Sequence, residues 1–304
     1  MNAGNNETII RTEQLSRHYG RRVGIDAVNL DIAEGEIFGF IGPNGAGKTT
    51  TIRLLLGFLR PTLGRASISS LDCWLESPRI KREVGYLPGD LRLYPWITGR
   101  TVLKIIGRVR GADLRASGAD LADRFQLEMD LQVRKMSRGM RQKLGLLMAL
   151  VHNPRLLILD EPTSGLDPLM QVELANCLRE LASAGHTVFF SSHTLSEVES
   201  LCDRVAVVRQ GHIIADETLQ SLRGRARRIV EFVFADEETA AHVQLPDFLK
   251  LNRRDGRQCY CELEGPTPPL ICWAAQQAIE DISISQPDLE SLFRKFYESS
   301  LEPQ

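Results

Sequence analysis

Eight consecutive residues, Gly42-Pro43-Asn44-Gly45-Ala46-Gly47-Lys48-Thr49, combine glycines, an ammonium group and a hydroxyl at the spacing G-x-x-x-x-G-K-[ST]. The chemistry this pattern serves is the binding of a nucleoside phosphate. The glycines let successive backbone N–H groups turn inward around phosphate oxygens. The positive end of a following helix then faces the same anion. Lys48 would reach the β and γ phosphates, and the Thr49 hydroxyl would bind Mg²⁺. A carboxylate to share that cation stands at Asp160, directly after the apolar residues 156–159. Buried strand followed at once by acid is the expected placement, because ligands of open α/β sheets bind beyond the carboxyl ends of strands. The next residue, Glu161, would project toward the same cavity and polarise a water for in-line attack on the γ-phosphate.

These groups need elements to hold them. Residues 37–41 read as a buried strand leading into the loop, and residues 50–56 as a helix that stops at Gly57 and is barred by Pro61. Residues 8–16 and 27–32 are strand-like, separated by a polar turn around Gly20-Arg21-Arg22. Residues 91–150 turn helical, with Val102, Ile105, Ile106 and Val109 at helical spacing. Strand 156–159, helix 170–184, strand 187–191 and helix 195–202 then alternate, and residues 204–209 and 212–216 form a hairpin around Gln210-Gly211. Such alternation predicts a parallel sheet with helices on both faces. The basic run Arg223-Gly224-Arg225-Ala226-Arg227-Arg228 has no interleaved aromatics and reads as a solvated linker rather than a nucleic-acid patch. Beyond it come strands 229–234, 258–263 and 282–285, and a helix over 270–279. An amphipathic helix with Leu289, Leu292, Phe293, Phe296 and Tyr297 on one face closes this small α+β appendage.

At 304 residues the chain has room for one large and one small domain. Its 43% hydrophobic and 25% charged residues are ordinary for a globular protein, and a net charge of −2 gives no general pull toward nucleic acid or an anionic membrane. Apolar runs such as 144–151 fall far short of the ~20 residues that span a bilayer. Residues 1–7 lack the basic-then-apolar order of a secretory signal. Of six cysteines, Cys259 and Cys261 are separated by one residue, with Cys272 the nearest third. This is not zinc-site spacing, and alternation along a strand accounts for it, so all six are expected as free thiols in a reducing cytoplasm.

Five segments in one order carry a resemblance. They are the loop 42–49, then Met136-Ser137-Arg138-Gly139-Met140-Arg141-Gln142, Asp160-Glu161-Pro162, Ser164-Gly165-Leu166-Asp167, and His193. Together they resemble the ATP-binding subunit of an ABC transporter, over about residues 9–222. The resemblance implies an α/β fold: a P-loop NTPase with a mostly parallel sheet, an N-terminal antiparallel β subdomain and a helical signature subdomain over about 88–150. It also implies domain limits of 1–222 for the ATP-binding part and 223–304 for a C-terminal accessory α+β domain. ATP and Mg²⁺ are the implied cofactors.

Carried over residue by residue, Gly42, Pro43, Asn44, Gly45, Ala46, Gly47, Lys48, Thr49 and Thr50 would bind the phosphates. Thr49 and Asp160 would hold Mg²⁺, the latter mainly through water. Glu161 would be the general base and His193 the switch histidine on the γ-phosphate. Tyr19 would stack on adenine. Ser137 and Gly139 belong to the signature, whose helix N-terminus would meet the γ-phosphate of ATP held by the opposite subunit. Asp167 would communicate across that dimer.

The implied partners are a second copy or a similar ATPase subunit and a separate integral membrane permease, with no nucleic acid expected. This would place the chain on the cytoplasmic face of the cell membrane. Two departures stand out. Arg138 and Met140 replace a glycine and a glutamine of the usual signature, and Gly89 stands where the family has a glutamine, so Asp90 is a candidate to reach inward in its place. Leu93-Tyr94-Pro95-Trp96 either lines the groove that receives a short helix of the membrane partner or forms a satellite core. Residues 285–293 resemble the accessory domain of an exporter branch handling drugs, antibiotics or lipids. The alternatives are an importer ATPase, a soluble ABC ATPase acting on ribosomes or DNA, and a nucleotide-gated regulatory module with little turnover.

Overall fold

The computed structural model describes residues 7–225 and 228–285, together with Leu289 and Phe293. The backbone forms two compact units, Met1–Asp216 and Glu217–Gln304, so the division falls slightly ahead of the expected 222/223 limit. The first unit opens with β1 (Thr8–Tyr19), β2 (Arg22–Ala33), β3 (Ile37–Ile41) and α1 (Lys48–Leu55). It continues with β4 (Leu63–Ile68), β5 (Leu71–Asp72), α2 (Ser77–Glu83), β6 (Val84–Leu87), α3 (Gly99–Arg110), α4 (Arg115–Arg124) and α5 (Arg138–Leu150). Then come β7 (Leu156–Asp160), α6 (Pro168–Ser183), β8 (Thr187–Ser192), α7 (Leu195–Leu201) and β9 (Arg204–Arg209), with β10 (His212–Thr218) running through the division.

The strands sort into two sheets. One is antiparallel in the order β2-β1-β4-β5. The other has the order β10-β9-β3-β8-β7-β6, and β9, β3, β8, β7 and β6 are parallel. Every residue of β3, β7 and β8 is buried, as near-continuous apolar strands covered on both faces must be. Phe38, Phe40 and Phe189 pack across β3 and β8 with centroid separations of 5.9 and 5.4 Å. Burying each ring contributes about 1.5–3 kcal/mol.

The same cluster takes in Ile52, Leu54 and Leu55, so α1 is clamped between the two sheets and its N-terminus is fixed in space. The register decides the rest. Ile41 lies opposite Ser192, and Ser191 opposite Asp160, so the chain leaves β3, β8 and β7 side by side at one carboxyl edge. A turn at Gln210-Gly211, both residues at positive φ, folds β10 back from β9.

Residues 91–150 are α-helical in α3, α4 and α5, with a short 3-10 helix at Val133–Lys135 between the last two. Residues 91–98 are irregular, and the Thr98 side chain caps α3 by accepting a hydrogen bond from the Thr101 amide. Val102 is buried, but Ile105 is 48% and Val109 80% exposed.

The second unit contains α8 (Leu219–Arg225), β11 (Arg228–Phe234), α9 (Glu237–His242), β12 (Leu249–Asp255), β13 (Gln258–Leu263), α10 (Thr267–Ala274) and β14 (Ile279–Ile284). Its antiparallel sheet has the order β12-β13-β11-β14. Phe232, Phe234, Cys259, Cys261 and Leu270 form its core, the two cysteines alternating inward along β13. The helix expected over 270–279 instead starts at Thr267, with proline in its first turn, and ends at Ala274, freeing Ile279 to begin β14. Leu289 and Phe293 are helical and buried, whereas Leu292, Phe296 and Tyr297 of the expected stripe lie outside the described residues, as do residues 1–6. Among the described residues no helix is long and apolar enough to cross a membrane.

Candidate active site

The loop leaving β3 turns on Gly45 at φ 82° and Gly47 at φ 116°. Gly47 also has no room for a side chain, since a Cβ would come within 2.6 Å of Ile25 Cγ2 and 2.8 Å of the Gly24 carbonyl. No side chain caps α1, which leaves its first-turn amides for an anion. The loop is braced from behind by the β9–β10 turn. The Gly211 amide donates to the Ala46 carbonyl at 2.9 Å, and the Asp26 amide donates to the Gly211 carbonyl at 2.8 Å. Lys48 is buried, and its Nζ donates to the Gly42 carbonyl at 2.6 Å and the Pro43 carbonyl at 3.3 Å. A flexible ammonium with three donors, held beside the loop, is suited to swing onto phosphate oxygens.

Asp160 ends β7 fully buried, and two hydroxyls satisfy it. Thr49 Oγ1 donates to Oδ2 at 2.9 Å, and Ser191 Oγ donates to Oδ1 at 2.6 Å. A hydroxyl and a carboxylate are the hard oxygen donors that Mg²⁺ takes, directly or through water, so the Thr49–Asp160 pair fits the cation in donor type. Glu161 follows at φ 50°, its amide donating to the Ser191 carbonyl at 3.1 Å. That turn aims the side chain at the loop, where Oε1 is 3.5 Å from Lys48 Nζ and 3.4 Å from His193 Nδ1. The site therefore presents, at one sheet edge, an anion cradle, a cation pair and a carboxylate flanked by an imidazole.

Ser137 caps α5 by accepting from the Met140 amide at 3.2 Å. Gly139 is packed so closely that a Cβ would lie 2.6 Å from the Gly165 carbonyl. Gln142 Nε2 donates to the Glu161 and Pro162 carbonyls at 3.2 and 2.9 Å, and Arg138 donates to Ser164 Oγ at 2.6 Å. The signature segment is thus fastened to residues 161–165. Asp167 caps α6 through the Met170 amide. Tyr19 is half-exposed beside Gly24 and Thr50, with the Arg17 guanidinium 5.0 Å from its ring centroid.

Residues 25–164 match the family described as ABC transporter. The chain is 37% identical over 236 residues to the bacitracin transport ATP-binding protein BcrA of Bacillus licheniformis, which covers 77% of each chain. It is 36% identical over 300 residues to the daunorubicin resistance ATP-binding protein DrrA3 of Streptomyces coeruleorubidus, covering 94% of this chain and 95% of that one. The chain belongs to the ATP-binding subunits of ABC transporters. A solved ATP-binding subunit of an ABC transporter shares its fold with a TM-score of 0.65 and 29% identity, covering 71% of this chain and 92% of that chain.

In this ABC ATPase subunit the glutamine position is genuinely empty of side chain. A Cβ on Gly89 would sit 3.3 Å from Asp160 Oδ2, which locates the position beside the cation pair. Asp90 does not replace it. Its side chain is 75% exposed and pairs with Arg92 at 2.9 Å, because a second carboxylate against buried Asp160 would meet both desolvation and like charge. Of Leu93-Tyr94-Pro95-Trp96, Leu93 packs on the core of the helical region, while Tyr94 and Trp96 stack on each other in the open. Gly211 has no motif to mark it, and the partners of Gln142 lie about twenty residues beyond its segment. The only local mark of Gly211 was its place in a hairpin turn.

Proposed function

We propose that this ABC ATPase powers export through a separate membrane permease by closing with a second copy, or a similar subunit, around Mg·ATP. Gly42 through Thr50 cradle the phosphates, Tyr19 stacks on adenine, and Thr49 with Asp160 holds Mg²⁺. The cation would neutralise charge on the phosphates when bound. Glu161 accepts the proton of the attacking water, and His193 orders the γ-phosphate side of the site. Ser137 and Gly139 lid the nucleotide of the opposite subunit with the N-terminus of α5. The observation that carries this reading is the placement of Glu161 Oε1 between Lys48 Nζ, 3.5 Å away, and His193 Nδ1, 3.4 Å away.

Export is favoured by the relatives, named for bacitracin transport and daunorubicin resistance, one of which matches nearly the whole chain. An amphipathic antibiotic or lipid-like molecule, selected by the permease, is the substrate class this suggests. Exposed Tyr94, Trp96, Ile105 and Val109 offer an apolar surface to a helix of that permease, and association with it would hold the subunit at the cytoplasmic face of the membrane.

Steady-state hydrolysis by the purified chain tests the chemistry. Glu161→Gln should lower kcat at least about a hundredfold while ATP stays bound and a dimer accumulates in Mg·ATP. A monomer with no retained nucleotide would remove the reading. Gly89 favours a second reading, a regulatory module that binds ATP and hardly turns it over. Wild-type turnover no faster than that of Glu161→Gln would select it.

A further inference from the structure

Glu197 lies in the first turn of α7, outside every motif that carries the assignment. Each of its carboxylate oxygens takes a hydrogen bond from a different segment, the turn after β7 and the last residue of β8. Thr163 Oγ1 donates to Oε1 at 2.7 Å, and Ser192 Oγ donates to Oε2 at 2.6 Å. Thr163 stands two residues after Glu161, and Ser192 immediately precedes His193. Ser192 Oγ is itself held, accepting from the Thr194 amide at 2.8 Å. One anion therefore joins the turn that bears the base to the end of β8, directly before the imidazole.

The backbone does not do this by itself. The β7–β8 ladder ends at the pair Asp160–Ser191, and the Glu161 amide makes the last main-chain tie between the two strands. Past that point Glu161 adopts a left-handed conformation that few non-glycine residues hold without outside support. Hydrogen bonds to an ionised carboxylate are short and strong, and a bridging one fixes the separation of the groups it joins.

We propose that Glu197 is a positioning residue for hydrolysis, setting the Glu161–His193 spacing by holding Thr163 and Ser192 on one carboxylate. The inference rests on the reading of Glu161 as base.

The test is steady-state hydrolysis by the full chain, with melting temperature measured alongside. Glu197→Ala should lower kcat about ten- to a hundredfold, as a sub-ångström misplacement of reacting groups does, with KM for ATP within about twofold of wild type. Glu197→Gln should recover most of the rate, because an amide can accept from one hydroxyl and donate to the other. Adding His193→Ala to Glu197→Ala should cost less than the product of the separate losses, since both disturb one unit. Unchanged kcat in Glu197→Ala, a glutamine variant as slow as the alanine one, or multiplying losses would each overturn the proposal. If Glu197→Ala does not fold, Thr163→Val cuts one arm of the bridge from the other side. The same kcat loss is then required, and full activity refutes the bridge. Glu161→Gln separates the two levels. If it stays active, the base assignment fails. If it is dead while Glu197→Ala is normal, only the positioning role falls.

Discussion

Asp160 accepts from Thr49 on one oxygen and from Ser191 on the other, so a change of one atom there separates cation binding from packing. Asp160→Asn keeps the volume and one acceptor but loses the charge. We expect a Mg²⁺ titration of hydrolysis to shift to higher concentration, with maximal rate down about a hundredfold, and melting to change by only a few degrees. At this scale the loop and Asp160-Glu161 were legible in the sequence, because their chemistry is local: a spacing of glycines, a lysine, an acid after an apolar run. Asp90 was misread. Its surface partner Arg92, only two residues away, outcompetes a buried place that the sequence offers equally well. Glu197 could not be read at all, and Gln142 only as part of the signature segment, since what makes each matter is a neighbour brought close by the fold.

Among the elements, the turn joining β9 and β10 is the piece that stiffens the phosphate loop from outside. Gly211 sits at φ 88°, and a Cβ there would lie 3.0 Å from Ile25 Cα. Gly211→Ala should push the turn off Ala46 and weaken ATP binding about tenfold, measurable by nucleotide titration, while hydrolysis at saturating ATP falls less. The parallel strands were legible because burial on both faces makes them unbroken apolar runs, as in residues 156–159. β12 was not, since only Leu249 of its seven residues is buried and the strand shows no alternation. The apolar positions of α3 carried the helical period, and two of them, Ile105 and Val109, are exposed. Periodicity reports a common face, and says nothing of whether this chain or another covers it.

For the first unit as a whole, His152 supplies a pH signature. Burial, and then the nearby Arg110 guanidinium, push its imidazole down to about 4. The unfolded chain protonates a histidine near 6.5, so between about pH 6.5 and 4 the unfolded state binds the extra proton. Stability is full above that window and declines through it as pH falls. Denaturant unfolding at pH 7.5 and 5 should show this loss, and His152→Leu should flatten it. The assignment to two units was legible from the change in character after the hairpin. β10 runs from the first unit into the second without a glycine or proline to mark a place.

Five of the six cysteines are buried and Cys272 alone is exposed. Desolvation pushes the Cys73 thiol up to about 12 and Cys261 to about 11, so little thiolate exists there at neutral pH to react. A maleimide dye added to the native protein should attach once, at Cys272, whereas denaturant should expose all six thiols to the same reagent. The chain thus comes with its own single fluorophore anchor on α10, ready for following motions of the smaller unit in real time without engineering a residue.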